Sequence, residues 1–99
     1  MHPTAYISKN SIIGKGSIIS PNCTIGYGSS IEENVLVNTY SAIGHHAKIG
    51  SHSVISPKVL LSGYVELEER VFVGAGAVIT PSKKIANGVK TILTMETVR

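Results

Sequence analysis

Histidine is the one side chain whose ordinary titration range spans neutral pH, and three of the four histidines in this chain fall between Ile31 and Leu61. His45 and His46 are adjacent, His52 follows six residues later, and the pair Asn38-Thr39 begins seven residues before His45. An imidazole can serve as general base toward an attacking hydroxyl or amine, and a free backbone N–H beside it can hold the oxyanion that forms. Together the two supply what acyl transfer needs. Gly63, eighteen residues beyond His45, is the candidate donor. Two or three imidazoles at close quarters can also trap a metal ion, so His46 and His52 leave a second chemistry open.

What brings such residues together is a period of six. Apolar anchors recur without interruption at Ile7, Ile13, Ile19, Ile25, Ile31, Val37, Ile43, Ile49, Ile55, Leu61, Leu67, Val73, Ile79 and Ile85. Two places before each stands a small or β-branched residue, from Ala5, Ser11, Ser17 and Cys23 to Ala77, until Lys83 breaks the rule. Six fits no helical period, so each hexad is expected to be a short strand with anchor and small residue pointing inward. A turn is expected at the Gly, Ser, Glu or Asn after the anchor, where Gly and Asn tolerate positive φ.

This pattern resembles the hexapeptide-repeat superfamily, [LIV]-[GAED]-x-x-[STAV]-x, from Ile7 to about Val89. The resemblance implies an all-β left-handed parallel β-helix with three hexads per coil and about five coils, an exception to the usual right-handed crossover. One domain is expected over residues 1–99, with hexads from about 5 to 89 and a capping strand or tail at 90–99, where Thr91 takes an anchor position. Residue n should lie over n+18, about 4.8 Å away. The outward residues then sort into three columns. Ile12, Ser30, Lys48, Glu66 and Lys84 are mostly polar, and Tyr6, Thr24, Ala42, Leu60 and Val78 are mixed. Ile18, Leu36, Val54 and Phe72 form an apolar stripe that a soluble monomer rarely exposes, so a homotrimer is expected.

Composition excludes several classes. With 42% hydrophobic and 15% charged residues the chain is neither disordered nor highly charged. No apolar run approaches the roughly 20 residues of a membrane span, and the opening lacks a secretory signal, so a cytoplasmic location is expected. A net charge of +3 with scattered Lys and Arg is no basic stripe for nucleic acid. No face carries the regular Thr array of an ice-binding surface. The single Cys23 lies in the inward column and reads as a buried thiol.

The segment VNTYSAIGHHAKIGSHSVISPKVLLSG is similar to the sugar acetyltransferases that modify sialic acid or a nucleotide-linked 4-amino sugar, as are His2–Ser8 and Val71–Ile85. The resemblance implies acetyl-CoA as co-substrate, His45 as base with His46 beside it, and substrate contacts at Asn38 and Thr39. It implies donor contacts at Gly63, at Gly74 and Ala75 in V-G-A-G-A, and at Lys83 and Lys84, which are placed to meet a phosphate of coenzyme A. Three departures stand out. The family's Asp or Glu after the base is His46 here. A second family histidine would fall at Val54. The family's N-terminal sugar-nucleotide-binding αβ domain is not seen, which implies an isolated domain or a substrate held differently. A zinc-binding branch of the fold uses a histidine two coils earlier, where Lys9 and Asn10 stand, so no metal is expected. Two functions follow: a sugar or sugar-nucleotide acetyltransferase, or a non-catalytic β-helix serving as trimerisation module or scaffold.

Overall fold

Residues 2–91 are described by the computed structural model, and within them the chain winds as a left-handed parallel β-helix measuring 35 × 20 × 20 Å. Fifteen two-residue strands form three parallel sheets. The first stacks β1 (Tyr6–Ile7), β4 (Thr24–Ile25), β7 (Ala42–Ile43), β10 (Leu60–Leu61) and β13 (Val78–Ile79). The second stacks β2 (Ile12–Ile13), β5 (Ser30–Ile31), β8 (Lys48–Ile49), β11 (Glu66–Leu67) and β14 (Lys84–Ile85). The third stacks β3 (Ile18–Ile19), β6 (Leu36–Val37), β9 (Val54–Ile55), β12 (Phe72–Val73) and β15 (Lys90–Thr91). Register is n to n+18 throughout, as in Ile25↔Ile43 and Val37↔Ile55.

The hexad dictates this arrangement. Every anchor from Ile19 to Ile85 is buried, with Ile25, Ile31, Val37, Ile49, Ile55, Leu61, Val73 and Ile79 at 0% exposure. The small column fills the remaining interior, and Cys23, Val35, Ala47, Val59, Val65, Val71 and Ala77 join the same core. Its serines add a function that size alone does not reveal. Ser41 Oγ donates to Ser56 O at 2.7 Å and accepts from Val59 N at 3.1 Å, so one buried hydroxyl closes the turn of the coil above. Ser29 does the same for the turn at 45–46, with Gly44 O at 2.6 Å and Ala47 N at 3.1 Å.

The turns differ from expectation in one respect. Positive φ falls three residues after the anchor, as at Tyr40, His46, His52 and Tyr64, rather than on the residue directly after it. Glycine follows many anchors for a steric reason instead. A Cβ on Gly44 would stand 2.7 Å from Ser62 C and 2.8 Å from Gly63 N, because successive coils bring backbone against backbone there.

The ladder continues through β15, where Thr91 is buried in the anchor slot and Phe72 pairs with Lys90. The rest of the cap expected at 90–99 lies outside the described residues. No helix among the described residues is long and apolar enough to cross a membrane.

Candidate active site

Turns of successive coils stack into three edges of the prism, and the edge a residue occupies decides what it can meet. The first edge, between the first and second sheets, carries Tyr27, His45 and Gly63 in one column and Gly28, His46 and Tyr64 in the next. His45 and Gly63 meet across this edge. The imidazole of His45 covers Gly63 so closely that a Cβ there would lie 2.6 Å from Nε2. The Gly63 carbonyl accepts from Ser82 N at 3.0 Å, while its N–H meets no acceptor among the described residues. An imidazole nitrogen and a free backbone donor therefore share one edge, in turns of successive coils.

His46 belongs to the same cluster. Its Nδ1 lies 3.1 Å from Nδ1 of His45. Its ring stacks on Tyr64 at 5.1 Å with an interplanar angle of 6° and meets the edge of Tyr27 at 5.7 Å. Tyr64 also meets His45 edge to face at 5.2 Å. Tyr27 is held from below, its hydroxyl accepting from Asn10 Nδ2 at 2.6 Å. Neither tyrosine was singled out from the sequence, although the eighteen-residue spacing puts Tyr27 under His45 and Tyr64 over His46.

The other candidates lie elsewhere on one chain. Asn38 and Thr39 sit on the third edge, between the third and first sheets, and Gly74 and Ala75 occupy the same columns two coils further on. Asn38 Nδ2 donates to Ile55 O at 3.2 Å and Thr39 Oγ1 to Pro21 O at 2.7 Å, so both are held against the turn. His52 turns at the second edge, away from the other two histidines. No group of three or more His, Cys, Asp or Glu able to hold a metal occurs among the described residues. Lys83 is half-buried in the inward column, and Lys84 points outward from β14 with its Nζ 3.6 Å from Glu68. A shallow concavity of about 300 Å³ lies beside that pair, lined by Glu32, Lys48, Gly50, Glu66, Leu67, Glu68, Glu69 and Lys84. It opens on the second sheet, neither His45 nor His46 lines it, and its opposite charges partly satisfy one another.

Known proteins share this architecture. The acetyltransferase domain of PglB from Neisseria gonorrhoeae FA1090, in complex with acetyl coenzyme A, superposes with a TM-score of 0.88 at 31% identity, over 90% of this chain and 43% of that one. A GDP-perosamine N-acetyltransferase from Escherichia coli O157:H7 is 33% identical over 78 residues, which is 79% of this chain and 35% of the relative. A mutant GDP-perosamine N-acetyltransferase from Caulobacter crescentus, in complex with CoA and GDP-perosamine, shares the fold at 14% identity with a TM-score of 0.62, over 92% of this chain and 49% of that one. The chain thus spans less than half the length of each of these proteins. The family described as the GMPPB C-terminal domain matches residues 1–94. Repeat, fold and matches agree: the chain resembles the β-helix of hexapeptide-repeat acetyltransferases, and it belongs to the family described as the GMPPB C-terminal domain.

Proposed function

We propose that the chain is the β-helix of an acetyl-CoA-dependent acetyltransferase acting on an amino or hydroxyl group of a sugar or sugar nucleotide. The observation that carries this reading is His45 lying over Gly63, with Nε2 beside a glycine whose N–H is unpartnered among the described residues. The likeness to a protein named as a GDP-perosamine N-acetyltransferase, and to the acetyltransferase domain of PglB in complex with acetyl coenzyme A, supports the choice of substrates.

In this mechanism His45 Nε2 removes the proton from the acceptor nitrogen or oxygen as that atom attacks the thioester carbon. The carbonyl oxygen becomes an oxyanion held by Gly63 N–H. Collapse breaks the carbon–sulfur bond, and the departing coenzyme A thiolate takes the proton back from the imidazolium. General-base assistance of this kind contributes roughly 10²–10⁴ in rate. Each N–H contact to the oxyanion adds a comparable term where water is excluded.

The site requires a second subunit. Asn38, Thr39 and Ala75 stand on a different edge from His45, and among the described residues the uninterrupted hexads offer no long loop to build a pocket beside His45 within one chain. A homotrimer that covers the Leu36 stripe and sets one protomer's third edge against its neighbour's first edge would make an intersubunit groove for acetyl-CoA. A sugar-nucleotide-binding domain, in the same polypeptide or a partner, completes the reading.

Calorimetric titration with acetyl-CoA and with coenzyme A tests it. Saturable binding, followed by acceptor-dependent release of free thiol, is the expected result. The scaffold reading draws on the lost carboxylate after His45 and expects no saturable heat from either ligand.

A further inference from the structure

The two Nδ1 atoms of His45 and His46 lie 3.1 Å apart, and at most one hydrogen fits between them. One ring must donate and the other accept. If His46 donated, a neutral His45 would carry its hydrogen on Nε2 and have no lone pair there. If His45 donates, Nε2 keeps its lone pair; an Nε2–H there would find no acceptor among the described residues, since the nearby Gly63 carbonyl is already used by Ser82 N. The surroundings of Nε2 favour the second arrangement.

We infer that His46 is a positioning residue: its Nδ1 accepts from Nδ1–H of His45 and holds the base in the tautomer that leaves Nε2 free over Gly63. A neutral imidazole thereby takes the place of the carboxylate that orients a histidine elsewhere. This deepens the proposed acetyltransferase reading and rests on it for its catalytic meaning.

The accepting ring is built in. His46 is solvent-exposed by area, yet Tyr64 covers one face in a parallel stack and Tyr27 approaches edge-on. The backbone supports the same pose, because His46 N donates to Tyr27 O at 2.8 Å and φ at His46 is 54°. Gly28 lies directly beneath, where a Cβ would come within 3.0 Å of the His46 ring. Two glycines thus make room for the two imidazoles, Gly63 for His45 and Gly28 for His46. Around this pair the titratable or polar side chains that face it are Tyr27, Tyr64 and, through Tyr27, Asn10. No carboxylate takes part in these contacts, so the orienting partner of His45 is an imidazole.

Nitrogen-15 NMR of the imidazoles in the full chain at alkaline pH reads the tautomers directly. The expected spectrum shows His45 protonated at Nδ1 and His46 at Nε2. In His46→Ala the His45 tautomer should revert to Nε2–H, the form favoured by a free neutral imidazole. His46→Asn, whose Oδ1 can stand near the position of Nδ1 as an acceptor, should restore Nδ1–H. Acetyl transfer should follow the same order, with kcat about ten-fold lower in His46→Ala, most of it recovered in His46→Asn, and KM for acetyl-CoA unchanged. An Nε2–H tautomer of His45 in the parent protein, or a tautomer unmoved by His46→Ala, overturns the inference even if acetyl transfer is intact. The expected tautomers in a chain that transfers acetyl to no amino or hydroxyl sugar would uphold the orienting contact and refute the enzymatic reading instead.

Discussion

Nε2 of His45 lies 2.6 Å from the point where any Cβ at residue 63 would stand, so the imidazole occupies space that only glycine leaves open. Gly63→Ala should therefore displace the imidazole. His45 is an exposed side chain with room to swing outward, and φ at Gly63 is not positive, so stability should change by only about 0.5 kcal/mol. Acetyl transfer should fall by about 10²-fold. A thermal melt and a rate measured on the same preparation check this, and full activity in the variant would count against the site.

His45→Ala should lower acetyl transfer by roughly 10²–10⁴ while leaving acetyl-CoA affinity nearly unchanged, because the loss falls on proton transfer. Equal rates for variant and parent on an accepted sugar would move the base elsewhere, and His52 on the second edge would be the next residue to replace.

Gly44→Ala places a methyl group against the backbone of Ser62 and Gly63, atoms that cannot rotate away. Overpacking of this kind costs about 3 kcal/mol at the upper end of its usual range. Gly76→Ala meets only its own backbone, since φ is 75° and no described atom lies within 4 Å. That change should cost about 1 kcal/mol. Denaturant midpoints for the two variants should keep this rank, and the reverse order would show that coil contact is not what selects glycine after the anchor.

Leu36→Glu should drive any trimer toward monomers, because each copy would bury a carboxylate without a partner. Leu36 stands in the stripe Ile18, Leu36, Val54 and Phe72 on the third sheet, each pair stacked in register. Burying apolar area is worth about 25 cal/mol per Å². Sedimentation of the parent at micromolar concentration as only a 10.5 kDa species would end the trimer reading.

Cys23 gives a pH-dependent expectation. Burial pushes its thiol above the ordinary value of 9.0, with backbone hydrogen bonds at Ser41, Ser20 and Tyr40 pulling the other way. Its Sγ also donates to Asn38 O at 2.9 Å. The unfolded thiol ionises first, so the contribution is complete below pH 9.0 and is lost as pH rises through the higher folded value. Unfolding midpoints between about pH 8 and pH 10 should fall more steeply for the parent than for Cys23→Val, a residue type the same column accepts at Val35 and Val59. Parallel slopes would contradict this.

Much of this was legible in six-residue arithmetic. Anchors and small column follow from it, and with the three hexads per coil that the resemblance implies, sheet membership, register and the meeting of His45 with Gly63 follow as well. The dihedral at each turn did not follow, because a period shows which residues recur without showing which one carries the left-handed backbone. Glycine after the anchor suggested positive φ there, whereas Gly44 answers to the coil above it and His46 takes the left-handed conformation. The aromatic clamp was within reach, since Tyr27 and Tyr64 stand eighteen residues from His45 and His46. What spacing could not reveal was ring orientation, which fixes the parallel stack of His46 on Tyr64 and the approach of the two Nδ1 atoms. The hydroxyl of Ser29 was also hidden, because an inward serine reads as small before it reads as a donor.

Since strand partners among the described residues are always one coil apart in sequence, as Tyr6 is from Thr24 and Leu60 from Val78, each strand closure confines a chain segment of the same length. The entropic charge per closure varies as (3/2)RT ln n, about 2.5 kcal/mol for such a loop, so no coil is favoured as a late or early event by loop length alone. Folding can begin wherever one coil seats on another and then grow by accretion in both directions. The histidine edge would then assemble once the three coils bearing Tyr27, His45 and Gly63 are seated, without waiting for either end of the prism.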